Sequence, residues 1–215
     1  MSLKLVTAPS EEPVSLNEMK DFLRVDGTTE DALISSLIVA ARQMAERMTG
    51  CVFISQTWEL WLDVFPSQRR PGADWWDGMR EGPLTDLTQA IRHIEIPKAP
   101  LQSVAFFKTF DTSNTESTFD AANYFVDSVS TPGRVVLNSG SVWPSTALRP
   151  ANGICIRFVA GYGNASAVPE QIKQAIKMIA GHWFENREAV VTGTISKEVE
   201  FGAKALLQSF EVMRL

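Results

Sequence analysis

Apolar positions near the start of the chain recur at helical spacing. Leu16, Met19, Phe22 and Leu23 fall three and four residues apart, and Ser15 with Glu18 forms a capping box in front of them. A short amphipathic helix is expected there, ended by Gly27. A longer stripe follows, Leu33, Ile34, Leu37, Ile38, Ala41, Met44, Ala45 and Met48, bounded by Gly50 and introduced by a Thr28 cap; it predicts a helix over 29–49. Beyond Gly50 the period switches to two. Trp58, Leu60, Leu62 and Val64 alternate with Thr57, Glu59, Trp61 and Asp63, which is the pattern of a strand. Further strands are expected at 91–96, 104–110, 124–126, 134–137 and 154–160, separated by Pro, Gly, Ser and Asn turns. Helical spacing returns after Pro169 with Ile172, Ala175, Ile176, Ile179, Ala180, Trp183 and Phe184. A last short helix is expected over 203–210.

These elements give an α+β fold. The N- and C-terminal helices form a helical bundle, and an antiparallel β-rich segment is inserted between them. The corresponding division is a helical body of residues 1–50 and 161–191, an inserted β-rich domain of 51–160, and a C-terminal tail of 192–215. The tail contributes little to the periodic pattern, so truncation after Thr192 is expected to leave the fold intact. A long connection from Ser67 to about Gln89, rich in Gly, Pro and charge, breaks any regular element.

Composition narrows the function. Hydrophobic residues are 45% and charged residues 21% of the 215, which excludes wholesale disorder. No apolar run approaches the roughly 20 residues a bilayer span requires, and the first residues lack the apolar core of a secretory signal, so no membrane partner and a cytoplasmic chain are the expectation. The net charge is −5, distributed as −3 over 1–50, −2 over 51–160 and 0 over 161–215. With no basic segment, a specific grip on nucleic acid through its phosphates is not expected.

Candidate chemistry is sparse. Cys51 and Cys155 fit no disulfide framework or nucleophile motif. His182 and Glu185 have the helical spacing of half a dimetal site, but the second copy of that motif is missing. Gly161-Tyr162-Gly163 lacks the third Gly and the Lys-Ser/Thr pair of a phosphate loop, and reads as a turn from the last strand into the helix. No catalytic residue, cofactor-binding residue or metal ligand is assigned, so no enzyme activity and no cofactor are expected. Interface residues are another matter. Trp75 and Trp76 stand in the polar connection between Asp74 and Asp77, where no core face explains two indoles, and aromatic residues of this kind are enriched at interface hot spots. Leu206, Leu207 and Phe210 line one side of the tail and form a second candidate contact.

Several stretches also carry a family pattern. Leu5-Val6-Thr7-Ala8-Pro9, Glu11-Glu12-Pro13-Val14-Ser15-Leu16, Phe22-Leu23-Arg24-Val25-Asp26-Gly27 and Glu30-Asp31 open it. Ala40-Ala41-Arg42, Thr49-Gly50, Gln56-Thr57-Trp58-Glu59-Leu60, Ile96-Pro97 and Pro100-Leu101 continue it. Phe158-Val159-Ala160-Gly161-Tyr162-Gly163, Val168-Pro169 and His182-Trp183-Phe184-Glu185-Asn186-Arg187-Glu188 complete it. In order and spacing these resemble the tailed-phage head-tail connector (adaptor) family, which also occurs in prophages and gene transfer agents. The resemblance implies a structural virion protein, present in the bacterial cytoplasm during assembly. It implies a homo-oligomeric ring, dodecameric under a portal protein, that extends the DNA channel and offers a surface to a head-completion or tail protein. DNA would pass through without specific binding. The chain departs from the shorter all-helical members by its β insertion and by the Arg69–Gln89 loop. Two other readings stay open: a ligand- or carbohydrate-binding β module with Trp61, Trp75 and Trp76 as a stacking platform, and a hydrolase using His182 with Glu185.

Overall fold

The structure, a computed structural model, describes residues 1–66, 92–186 and 197–212, with side chains in the last segment from Gly202 onward. The first helix, α1 (Leu16–Leu23), opens with the expected capping box. The Ser15 hydroxyl accepts the Glu18 N–H at 3.2 Å, and the Glu18 carboxylate accepts the Ser15 N–H at 2.8 Å. The Ser15 N–H and the Ser15 hydroxyl, each donating to the Glu18 carboxylate at 2.8 Å, hold that carboxyl below its ordinary range. The helix ends at Arg24, left-handed at φ 57°, rather than at Gly27, because the Arg24 and Val25 N–H groups turn back onto the carbonyls of Asp21 and Lys20.

The second helix, α2 (Asp31–Thr49), has no side-chain cap from Thr28. Its N-cap is Glu30, which makes no side-chain cap bond, and the Asp31 carboxylate instead pairs with Lys20 Nζ at 2.8 Å, tying the start of α2 to α1. Gly50 closes α2 as expected, at φ 74°. The later helices are α3 (Glu170–Glu185), which Pro169 precedes as N-cap, and α4 (Lys197–Gln208). Their buried faces meet those of α1 and α2 in one core of Met19, Ile34, Ile38, Ala45, Ile172, Ile176, Ala203 and Leu207.

The β part holds a second core. Five antiparallel strands, β1 (Ser2–Thr7), β2 (Gln56–Leu62), β8 (Ile154–Ala160), β4 (Leu101–Phe110) and β5 (Glu116–Thr118), stand side by side in that order. Three shorter strands, β3 (His93–Glu95), β7 (Arg134–Leu137) and β6 (Tyr124–Asp127), make a second sheet in that order. Register follows the period-two pattern. Leu60 stands opposite Ile156 and Trp58 opposite Phe158, so one face of the large sheet is apolar. That face packs with Ile94 and Val135 of the small sheet, and Phe107 is surrounded by Phe65, Phe119, Tyr124 and Trp143.

The fold class is α+β, as the sequence pattern implies, with antiparallel sheets and, among the described residues, four α-helices. Two strands, β1 and β5, lie outside the expected set. β1 is exposed at most of its positions and β5 is a Glu-Ser-Thr triplet, so neither carries an apolar face to announce it. Because β1 pairs with β2 in the large sheet, the division that assigned all of residues 1–50 to the helical body is corrected for Ser2–Thr7. The expected Ser67–Gln89 connection lies outside the described residues.

Candidate assembly interface

Helices and sheets are joined through one mostly buried carboxylate. Glu46, on the inner side of α2, accepts the Phe53 N–H at 3.0 Å and Gln56 Nε2 at 3.1 Å on one oxygen. Its other oxygen accepts Arg42 Nη1 at 2.8 Å, and Arg42 Nε donates in turn to Glu12 at 2.7 Å. Next door, Glu11 accepts the Ala165 N–H at 2.8 Å. The N-terminal strap, α2, the entry to β2 and the turn before α3 are thereby pinned together. Burial raises the Glu46 carboxyl above its ordinary range, opposed by the Phe53 N–H and the Arg42 charge. Sequence reasoning passed over this network, although a signal existed. Arg42 lies four residues after Ile38 and seven before Thr49, on the buried side of α2, and it is only 5% exposed; a charge on an apolar stripe requires a partner.

The Gly161-Tyr162-Gly163 turn is the second joint. The Tyr162 N–H bonds the Phe53 carbonyl, the Ser55 N–H bonds the Gly163 carbonyl, and the Gly161 N–H bonds the Pro100 carbonyl. Gly161 sits at φ 133°, and a Cβ there would lie 2.6 Å from the Ile54 carbonyl oxygen. Only glycine allows this approach. The turn therefore serves backbone packing, in line with its reading from sequence.

Of the expected interface residues, Trp75 and Trp76 lie outside the described residues. The tail residues turn inward. Leu207 is 2% exposed in the helical core, and Leu206 and Phe210 pack against the same core. The Cys51 thiol donates to the Phe210 carbonyl at 3.2 Å, and the Val212 N–H bonds the Thr49 carbonyl. These contacts dock the tail on its own body, which corrects the expectation that it contributes little to the core. A short amphipathic helix reads the same from sequence whether it docks within its chain or on a neighbour.

The two histidines of the chain lie in separate elements. His182 Nδ1 lies 3.1 Å from the Asn186 amide, and His93 sits in β3 opposite Val136. Among the described residues no group of three or more His, Cys, Asp or Glu side chains converges on a metal-sized site. Burial raises the Cys51 thiol and pushes Cys155 up to about 12. Trp61 stacks on Phe110 with ring centres 5.8 Å apart and donates to Glu59, so its ring already has a protein partner. What the large sheet does present, on the face away from the small sheet, is a row running Lys4, Glu59, Arg157, Phe106 across four strands. Arg157 bonds Glu59 and lies 4.6 Å from the Phe106 ring centre.

Fold and site together define a class: a helical body bearing a two-sheet module, whose converging polar groups join segments of the chain to one another. Residues 13–96 match the family model of the phage gp6-like head-tail connector proteins. Among solved structures, a chain from the neck of an empty gene transfer agent particle, computed with C6 symmetry, is similar over 100% of this chain and 97% of its own, with TM-score 0.76 and 24% identity. Chains from the virion of the native gene transfer agent particle (TM-score 0.74, 22% identity) and from its neck, computed with C12 symmetry (TM-score 0.73, 22% identity), match over the same shares. No curated protein matches the chain. The resemblance to head-tail connectors stands, and the two-sheet α+β fold is that of these neck chains from end to end.

Proposed function

We propose that the protein is a structural head-tail connector. Its copies form a ring beneath the portal of a phage-like particle, extend the DNA channel and offer their far side to the next head-completion or tail protein. The observation that carries this reading is the coincidence of a connector family pattern over residues 13–96 with a fold shared along the whole chain with chains of gene transfer agent necks computed with C6 and C12 symmetry. Charge agrees with the role. A chain of net charge −5 repels phosphate, so DNA crossing the ring meets little friction from ionic contacts. The role is non-catalytic, and its places are the finished particle and, during assembly, the cytoplasm of the producing bacterium. Trp75, Trp76 and the exposed side of the tail helix are proposed as contacts to neighbouring proteins.

Native mass measurement tests this, on the purified protein alone and mixed with the portal ring of the same particle. The expected result is a mass of many subunits or a stoichiometric complex with the portal. A monomer that ignores the portal would overturn the reading.

A further inference from the structure

The large sheet ends in two open edges of opposite character. At one end β1 pairs with β2 alone, and among the described residues no strand meets its outer side. Half the backbone N–H and C=O groups of such a strand point away from its only partner, and an edge of this kind is a template for another chain. Two of its apolar side chains lie in solvent, Leu5 at 42% and Val6 at 40% exposure. A break in register between Leu5 and Thr7 confines regular pairing to Ser2–Leu5. At the other end β5 is three residues long, all exposed, and pairs with β4 alone.

Charge distinguishes the two edges. Residues 1–10 contain Lys4 and no acidic residue, whereas residues 111–120 contain Asp111, Glu116 and Asp120 and no basic one. Lys4 and Glu116 also share a face. Lys4 stands opposite Glu59, Glu59 opposite Arg157, Arg157 opposite Phe106, and Glu116 lies opposite Phe110 on that same side of the sheet.

We infer that copies of this chain join edge to edge, the outer side of β1 in one copy pairing with the outer side of β5 in the next, so that the five-stranded sheet continues from subunit to subunit. The inference rests on the connector reading, and it names the surface by which the ring closes. A ring needs a heterologous contact, one patch meeting a different patch, and the two ends of one sheet supply such a pair. Every neighbouring pair in the sheet is antiparallel, so β1 and β5 run in the same direction and the new pairing is parallel. With Lys4 set beside Glu116, the carboxylate lies between Lys4 of the next copy and its own Lys108, which it already contacts at 2.6 Å. A second β1 in place of β5 would bring Lys4 against Lys4, so the lone charge of the edge favours the head-to-tail join.

Cysteine crosslinking tests the register. Paired residues on neighbouring strands have Cα separations that a disulfide spans, and the native Cys51 and Cys155 are buried. Lys4→Cys and Glu116→Cys proteins are mixed, assembled with the portal subunit and oxidised. The expected result is a disulfide between the two variants and none within either alone. In parallel, Lys4→Glu should weaken ring assembly by about two- to fivefold per interface, and Glu116→Lys in the same chain should restore it. A disulfide within the Lys4→Cys protein alone would replace the inference by a symmetric β1–β1 contact. Rings that form normally but never crosslink would overturn the inference and leave the connector reading in place. Absence of any ring from the unaltered protein, with and without portal, would remove both.

Discussion

Replacing Arg42 by alanine should be among the costliest single changes available to this chain. The guanidinium bonds Glu46 at 2.8 Å through Nη1 and bridges through Nε to Glu12. In Arg42→Ala the Glu46 carboxylate remains mostly buried, keeps its bonds to the Phe53 N–H and Gln56, and loses the larger of the two positive charges acting on it, that of Arg42 ahead of Lys98. Stranding one member of a buried ion pair costs about 3–5 kcal/mol. For a chain of this size, with roughly 2–4 °C per kcal/mol, the melting temperature should fall by about 6–20 °C. The loss should also depend on pH. Burial already places the folded-state pKa of Glu46 above its unfolded value, so its ionisation opposes folding, and removing Arg42 raises it further. An acid with a raised folded pKa binds more protons folded than unfolded; stability is retained below the unfolded pKa and declines as pH rises through the folded one. The deficit of Arg42→Ala should therefore be largest near neutral pH and shrink on acidification toward the ordinary carboxylate range. Thermal melts of wild type, Arg42→Ala, Glu46→Gln and the double variant between pH 5 and pH 8 measure this, and the double variant should lose less than the sum of the singles. A deficit under about 1 kcal/mol, or one independent of pH, would refute the view that this ion network joins the helices to the sheet.

Leu207→Ala should lower stability by about 2–5 kcal/mol in chemical denaturation, because the side chain fills the helical core; an unchanged midpoint would make the tail dispensable to the fold. Gly161→Ala should cost about 2–4 kcal/mol through its positive φ and the Ile54 carbonyl, and a melt indistinguishable from wild type would show that the turn can shift aside. Both cysteines should resist a thiol reagent at pH 8 until denaturant is added, since burial raises both thiols; rapid labelling of the native protein would contradict their burial.

How far the sequence can be read differs from element to element. The stripe from Ile34 to Met48, the run from Ile172 to Phe184 and the alternation from Trp58 to Leu62 fixed α2, α3 and β2, because each buries one periodic face against a core. Arg134–Leu137 and Ile154–Ala160 were placed to the residue, bounded on both sides by turn chemistry. The Ser15–Glu18 box and Gly50 marked helix ends, since capping is local. Local cues failed where a partner distant in sequence decides the outcome. Thr28 does not cap α2, whose N-cap is Glu30, because the Asp31 N–H goes to the Thr28 carbonyl; β1 becomes a strand only because β2 offers its edge; Leu206, Leu207 and Phe210 turn inward because α2 and α3 leave a place for them. The candidate site divides in the same way. The family pattern could be read from the chain. That Glu46 gathers three donors, and that Lys4 and Glu116 stand on one face at opposite ends of one sheet, is set by strand order. Periodicity shows which side of an element is buried; which element it meets is chosen by packing over long separations in the chain, where no local pattern carries the information.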